Sequence, residues 1–525
     1  MKAPQIHPGG PSADRQEARS GGATRVMVRQ LAALILLATP CDATIPADES
    51  GRSQPVASAA GIYHAQGGMA GEVTQTTAIL QSRLSAAPGP TEGDVPGVHG
   101  WGKFQYALTP DFAQAGETDW IEAKQEADCI LRQQIYGLQP GRTYHYRLIV
   151  GVDRSLTQTG PVHHFKTLPQ TDQTTAVRFA VGNCMNYAFF FNGPKGDGRK
   201  ARADAKDREL GYPAMESIRR LQPDFFIGAG DNVYYDHPAK TPAKTLAEMR
   251  RKWHEQFALP RVAALVGEVS TYWMKDDHDY RYNDSDPSGE NAPSHALGVR
   301  TFREQMPVVP FIDSTNATYR TIRCGKLLQL WMVEGRDYRS PNSSPDGPEK
   351  TIWGAEQAAW LKRTLLASDA PFKILVSPTP MVGPDDAYKR DNHVSPNGFR
   401  REGEEFFAWL VTNQITGLYI ITGDRHWHYH SIHPSGYEEF ACGALNTENS
   451  RLGRNPGDPK STDPQSLVRQ LYSDAKPTGG YLLVEALPPQ PDSPAHLSFS
   501  IRDEWGKELY SATKTTLALQ PGGHR

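Results

Sequence analysis

Five apolar runs in the second part of the chain are each followed directly by side chains that bind metal ions, phosphate or protons. The residues that follow them are Cys184; Asp231, Asn232 and Tyr234; Asp277, His278 and Asp279; Arg336 and Arg339; and Asp424 and His426. A single aspartate after a strand is more often a helix cap or turn residue. Five such clusters in order along one chain indicate that they meet in one site.

The apolar runs have the length and composition of buried strands. They cover residues 177–181, 225–229, 271–274, 327–333, 372–376 and 418–421, and helical patterns with one apolar face lie between them. Strands buried on both faces and separated by helices are typical of α/β layering. In open α/β sheets ligands bind beyond the carboxyl ends of the strands. We therefore expect an α/β catalytic domain over residues 177–512, with a tail over 513–525.

The region before residue 169 has a different pattern, with short alternating runs separated by glycine and proline turns. About 100 residues of this kind fit an all-β sandwich of the immunoglobulin or fibronectin class. We place this domain at residues 61–168, after a polar linker over 44–60. The stretch from Gly137 to Arg147 resembles the end of a fibronectin type III-like domain.

The first 43 residues have the features of an export signal. Arg25 and Arg29 precede an apolar block over residues 31–38, and Ala43 ends a Cys-x-Ala sequence. The block is too short for a bilayer span of about 20 residues, so we expect a secreted or periplasmic protein without a transmembrane anchor. A buried helix is the alternative reading of the block. Met1 and Met27 both remain candidates for the start.

Composition limits the class of protein. Hydrophobic residues make up 38% and charged residues 22%, which is typical of packed globular domains. The net charge of -3, without basic runs, disfavours obligatory nucleic-acid binding. Four cysteines lie after the signal and are too widely spaced to indicate a disulfide framework. We expect a monomer.

The order of the motifs resembles that of a known family. Gly-Asp with a tyrosine three residues later, then Asp-Asp-His-Asp, then Gly-Asp-x-His, is similar to the metallophosphatase series in its alkaline phosphatase D form. The resemblance covers most of residues 177 to 512. It implies a four-layer αββα sandwich, and similar β-sandwich domains precede such catalytic parts. It also implies hydrolysis of phosphate monoesters, diesters or both.

The resemblance implies a role for each ligand of a first metal. Asp231 would bridge two cations, and the phenolate of Tyr234 would bind ferric iron. Cys184 stands where this branch has a cysteine whose thiolate suits a transition metal. His426 corresponds to the second histidine of the wider family's last motif.

At the second metal the chain departs from the wider family. Asp277 replaces an asparagine, and Asp424 replaces a histidine. Exchanging amide and imidazole for carboxylate favours a hard cation such as calcium. The sequence therefore predicts iron and calcium together, with other divalent metals left open.

The remaining residues are assigned to substrate. His278 would contact the scissile phosphate, with Asp279 orienting its ring. Asn232 is either a phosphate donor or a turn residue. Arg336 and Arg339 would grip phosphate, or form structural ion pairs.

Asp386 and His393 lie in a loop where related enzymes place a further ligand, with a spacing that does not decide their role. The alternative function is a non-catalytic envelope binding protein on the same scaffold. A serine hydrolase is disfavoured because no Gly-x-Ser-x-Gly follows any strand.

Overall fold

The computed structural model of the protein describes residues 61–194, 203–308 and 317–516. The predictions for the signal at 1–43, for the linker at 44–60 and for residues after 516 lie outside these ranges.

Strands β1 to β9 precede residue 170: β1 Gly68–Gly71, β2 Ala78–Arg83, β3 Gly100–Ala107, β4 Gly116–Glu117, β5 Ile121–Ala123, β6 Ile130–Ile135, β7 Thr143–Gly151, β8 Thr157–Thr159 and β9 His163–Lys166. The later strands are β10 Val177–Gly182, β11 Phe225–Ala229, β12 Ser270–Met274, β13 Arg320–Cys324, β14 Leu328–Met332, β15 Phe372–Ser377, β16 Leu418–Thr422, β17 His428–Ile432, β18 Glu438–Cys442, β19 Arg469–Ser473, β20 Gly480–Leu487, β21 His496–Asp503 and β22 Glu508–Thr515. The helices are α1 Tyr187–Asn192, α2 Ala205–Leu210, α3 Pro213–Arg220, α4 Leu246–Phe257, α5 Pro260–Glu268, α6 His295–Gln305, α7 Gly354–Ala367 and α8 Arg400–Thr412.

Two large sheets carry the motifs. Among the described residues, one sheet has nine strands in the order β22-β21-β20-β10-β11-β12-β1-β2-β6, and the other has seven in the order β13-β14-β15-β16-β18-β17-β19. β10, β11 and β12 run parallel, as do β14, β15 and β16. Within each sheet the carboxyl ends of these strands therefore lie at one edge. β22 ends at Thr515, three residues beyond the boundary that we placed at 512.

Burial explains why these strands read as continuous apolar runs. One apolar cluster takes residues from both sheets, including Phe179, Ile374 and Phe499. Strands with both faces covered have no reason to alternate apolar with polar residues.

Helices pack on each of the two sheets. α3, α4 and α5 pack on the nine-stranded sheet around Trp253 and Trp273, and α7 and α8 pack on the seven-stranded sheet around Trp331. α4 begins at a capping box, in which Thr245 and Glu248 satisfy each other's backbone N–H groups. α5 begins with Pro260, whose fixed φ suits a first helical turn.

The first 100 described residues are joined to the nine-stranded sheet. β1 pairs in parallel with β12, with Gly71 opposite Thr271, so β1, β2 and β6 extend that sheet. The other early strands form a six-stranded sheet, and one apolar cluster lies between it and β1, β2 and β6. The carboxylate of Glu72, directly after β1, and the guanidinium of Arg320, in β13 of the seven-stranded sheet, are both largely buried and form an ion pair. None of the helices in the described ranges has the length and apolar character needed to cross a membrane.

Candidate metal centre

Three predicted ligands have unusual backbone conformations directly after their strands. Cys184 follows β10 with φ 52°, Asp231 follows β11 with φ 53°, and Asp424 follows β16 with φ 59°. A non-glycine residue in this region is held at a cost of about 1–3 kcal/mol and persists only where the surroundings fix it. Such strain clusters at functional sites, and here it falls on three candidate ligands.

The first group of ligands surrounds one oxygen of Asp231. The Cys184 Sγ lies 3.3 Å and the Tyr234 hydroxyl 3.2 Å from Asp231 Oδ2. Ligand atoms of Cys184, Asp231 and His426 all lie within 4.8 Å of one another. The structure therefore brings together the four residues predicted for the first metal.

Electrostatics support a cation at this point. Burial raises the pKa of the Cys184 thiol well above its usual value, and the nearby Asp231 carboxylate raises it further. Burial lowers the pKa of His426 to about 3, so its imidazole stays neutral and free to bind a metal. A bound cation would reverse the penalty on the thiolate.

The second group of ligands is made of carboxylates. Ligand atoms of Asp276, Asp277 and Asp424 lie within 4.8 Å of one another, and so do those of Asp231, Asp277 and His278. Burial raises the pKa of Asp276 to about 8, although Arg336 opposes it, and Asp276 Oδ2 has no hydrogen-bond partner. An unpartnered buried carboxylate oxygen beside two further carboxylates fits a hard, oxygen-binding cation.

A third acidic group lies next to the second. It contains Asp277, Asp284 and Asp391, whose ligand atoms lie within 4.8 Å of one another. The Lys389 ammonium binds Asp284 directly. Asp276, Asp284 and Asp391 were missed in the sequence, although Asp276 opens the motif that we used.

His278 is held at the edge of the centre by a residue that we did not predict. Its Nδ1 lies 2.7 Å from Asp236 Oδ1, and its ring stacks on Tyr234 at 4.1 Å between centroids. Burial alone would lower the pKa of His278, but Asp236, Asp277 and Asp231 raise it well above the usual value. These carboxylates favour the protonated imidazole, and with Nδ1 bound to Asp236 the other ring nitrogen, Nε2, faces away from that carboxylate.

The structure corrects the role assigned to Asp279. Its carboxylate does not orient His278; it accepts the backbone N–H of Asn232 at 2.9 Å and that of Asp276 at 2.7 Å. These bonds fix the loop after β12 against the loop after β11. Asp279 was expected behind the ring because it is the next residue, but in this loop it turns toward the backbone.

Three residues predicted to bind substrate are occupied by the protein itself. Asn232 is fully buried, and its Nδ2 donates to Met274 O and Asp279 Oδ2. Arg336 is fully buried and binds Asp276 at 2.6 Å. Arg339 donates to the backbone oxygens of Gly335 and Asp391. The turn-residue alternative for Asn232 and the ion-pair alternative for Arg336 match these positions, whereas Arg339 binds backbone oxygens instead of an acidic side chain.

The other flagged polar residues also have structural partners. His393 Nε2 lies 2.9 Å from Glu402, and Asp386 binds Arg454 at 2.6 Å. Asn449, which no motif marked, donates to the Tyr234 hydroxyl at 2.9 Å and to the Cys184 carbonyl at 3.0 Å. It connects two candidate ligands of the first metal.

Comparison with known proteins agrees with this architecture. A solved structure of PhoD superposes with a TM-score of 0.67 and 18% identity, over 87% of this chain and 90% of its own. The structure of purple acid phosphatase PPD1 from yellow lupin (Lupinus luteus) seeds gives a TM-score of 0.55 and 12% identity, over 85% and 74%. Fold and motif positions together define a metallophosphatase fold.

The family model described as PhoD-like phosphatase matches residues 179–485, and the one described as its N-terminal domain matches residues 51–169. The chain belongs to the PhoD-like phosphatase family, which confirms the resemblance drawn from the motifs. Alkaline phosphatase D of Bacillus subtilis (strain 168) is 23% identical in an alignment of 388 residues that covers 68% of this chain. The matched region spans 63% of that relative's length.

Proposed function

We propose that the protein is a metal-dependent phosphoesterase that hydrolyses phosphate monoesters, diesters or both. The observation that carries this proposal is the position of Asp231, which belongs to two ligand groups of different chemistry at once. A carboxylate with two oxygens is suited to bridging two cations. Paired cations a few ångströms apart are typical of phosphatases and nucleases.

We assign iron to the group with sulfur, phenol and imidazole, and calcium to the group of carboxylates. Cys184, Tyr234 and His426 would hold the iron, and Asp277 and Asp424 the calcium, with Asp231 between them. Thiolate favours transition metals, and an all-oxygen set favours calcium. Other divalent metals remain alternatives at both positions. Bound cations would supply charge for the phosphoryl oxygens and lower the pKa of water.

His278 would act on the phosphate side of the centre. With Nδ1 held by Asp236 at 2.7 Å, Nε2 is the ring atom left to donate. A cationic donor stabilises the charge that develops on non-bridging oxygens, and it can also protonate the leaving oxygen. Asp236 fixes the direction of the ring.

Metal analysis and turnover on one preparation test the proposal. We expect iron and calcium to co-purify, and chelation to abolish hydrolysis of aryl phosphates. Asp231→Ala should lose metal and activity together. A protein with full metal content and no hydrolysis of mono- or diesters would contradict the proposal. It would favour the alternative of a non-catalytic envelope binding protein.

We also infer the finer architecture. The apolar clusters between and outside the sheets support a four-layer αββα catalytic domain over residues 177–512, and the cluster within residues 61–168 supports an immunoglobulin- or fibronectin type III-like sandwich.

For localisation, we propose that the chain is exported and cleaved after Ala43, and that it acts as a monomer. Mass measurement of protein from the medium or envelope tests the export and the cleavage after Ala43. An intact chain in the cytosol that retains residues 31–38 would contradict it.

A further inference from the structure

Arg451 has a guanidinium that its neighbours leave unused. Its side chain is 42% exposed and lies 3.9 Å from Asp385 and 3.8 Å from Asp386, beyond hydrogen-bond range. Asp385 is bound by Arg425, and Asp386 is bound by Arg454 at 2.6 Å. Within the described ranges, the Arg451 guanidinium donates no hydrogen bond to protein.

The guanidinium is nevertheless fixed in place. It lies over the indole of Trp427, 4.4 Å from the ring centroid, and Trp427 is fully buried. Stacking of this kind holds the plane of an arginine while leaving its N–H groups at the edge free. An arginine held flat with free donors is suited to a planar or multidentate anion.

The segment that carries Arg451 is attached to the metal centre at two points. The Arg451 backbone N–H donates to the His426 carbonyl at 2.9 Å. Two residues earlier, Asn449 donates to the Tyr234 hydroxyl and to the Cys184 carbonyl. The backbone of Arg451 therefore lies beside His426, one of the proposed iron ligands. Arg336 and Arg339, the arginines marked by the motifs, are buried and occupied instead.

We propose that Arg451 is a substrate-binding residue that grips the phosphate group of the ester at the entrance of the metal centre. The contact would be a charge-assisted hydrogen bond from the guanidinium to non-bridging oxygens. This inference rests on the proposed function for the identity of its substrate, although it requires only that the centre binds phosphate.

The test measures binding of inorganic phosphate to metal-loaded protein by calorimetry, beside the KM and kcat for an aryl phosphate. Arg451→Ala should weaken phosphate binding by about 10- to 100-fold, the usual range for losing hydrogen bonds to a charged group. KM should rise by a similar factor, and metal content should stay at the wild-type level. Arg451→Lys should retain part of the affinity, because a point charge remains without the fork geometry.

Arg454→Ala is the matched control. It removes the same charge three residues away, from a guanidinium that is already bound to Asp386 and Asp458. Phosphate affinity should change by less than about 2-fold in this variant, because exposed paired charges contribute little. An equal loss of phosphate affinity in Arg451→Ala and Arg454→Ala would show that only the overall positive charge matters, and it would overturn the proposal.

Wild-type phosphate affinity in Arg451→Ala overturns the proposal, and so does loss of metal, which would show a structural role. Phosphate binding does not depend on turnover. A protein that binds phosphate through Arg451 but hydrolyses no ester would overturn the proposed function and leave this inference standing.

Discussion

Asp231→Asn should change the stability of the protein in opposite directions with and without metal. In the metal-free protein, burial and the neighbouring Asp277 raise the pKa of Asp231 well above its usual value. A carboxyl group whose pKa is higher in the folded than in the unfolded chain lowers stability when it ionises, and this effect grows as the pH rises. Removing the charge should therefore stabilise the metal-free protein, most at alkaline pH.

The distances set the size of the effect. Ligand atoms that lie within 4.8 Å of one another repel by at least about 3.5 kcal/mol per fully ionised pair at an effective dielectric of about 20. Partial protonation of the carboxyl groups reduces this repulsion, so we expect Asp231→Asn to raise the free energy of unfolding of the metal-free protein by about 1–3 kcal/mol. With metal, a 100-fold loss of affinity at saturation removes about 2.7 kcal/mol for each cation, and Asp231 belongs to both ligand groups, so the loss exceeds the gain from removing the charge. For 525 residues the unfolding entropy is about 1.1 kcal/mol/K, so each kcal/mol moves Tm by about 1 °C.

Thermal unfolding measures the change in Tm caused by Asp231→Asn, once in chelator and once in saturating iron and calcium. Asp128→Asn is the control, since this buried carboxylate binds Arg83 at 3.0 Å and His254 at 2.7 Å, outside the centre. It should lower Tm under both conditions, because it breaks a buried ion pair. If Asp231→Asn also lowers Tm equally under both conditions, Asp231 is a structural residue and our reading of the centre fails.

Three further predictions follow from the described contacts. His278→Ala should lower turnover by about 10²- to 10³-fold while the metal content stays normal. Asp236→Asn should lower turnover by about 10- to 100-fold, because it loosens the His278 ring. Wild-type turnover in both variants would place the active site elsewhere. Cys184→Ser should lose more iron than calcium, because the variant lacks the thiolate ligand, and elemental analysis measures both metals. Full retention of iron would show that Cys184 is a buried core cysteine and not a ligand. Burial lowers the pKa of His64 and His163 to about 4. The unfolded chain therefore takes up protons first, and the free energy of unfolding should fall from about pH 6.5 to 4, by at most about 3 kcal/mol per histidine. Urea unfolding across that range checks this, and His163→Gln should flatten the slope.

The strands of the region after residue 177 were predictable because burial on both faces gives each strand an uninterrupted run of apolar residues. The run at residues 225–229 coincides with β11, and the run at 177–181 with all but the last residue of β10. β17 was missed because its sequence, His-Tyr-His-Ser-Ile, contains two histidines, which bind Glu438 of β18 and Asp474 directly after β19. Polar residues in a strand interior conceal the pattern on which the prediction depends.

The candidate ligands were also predictable, because each directly follows a strand within a motif. Their supporting partners were not. Asn449 reaches Tyr234 across 215 residues of chain, and only the folded structure shows that contact. Asp236 lies only five residues after Asp231. Nothing in its position in the sequence, however, indicates that Asp236 and not Asp279 orients the ring of His278. Motifs specify which side chains do the chemistry, whereas the residues that orient them depend on loop geometry.

The pairing of β1 with β12 gives the N-terminal region a part in positioning the site. β12 ends at Met274, and Asp276 to Asp279 follow at once, so any shift of β12 moves His278 and two candidate ligands. Without β1, this strand would be the edge of the sheet, with unpaired backbone groups. β1 covers that edge, and Arg320 ties the strands together by binding Glu72 and donating to the Trp273 carbonyl at 3.0 Å. An N-terminal region joined only by a flexible linker would leave the centre unchanged when removed. In this protein β1, β2 and β6 share a sheet with the strand that carries the motif, so removing them should expose β12 and loosen the loop that holds His278.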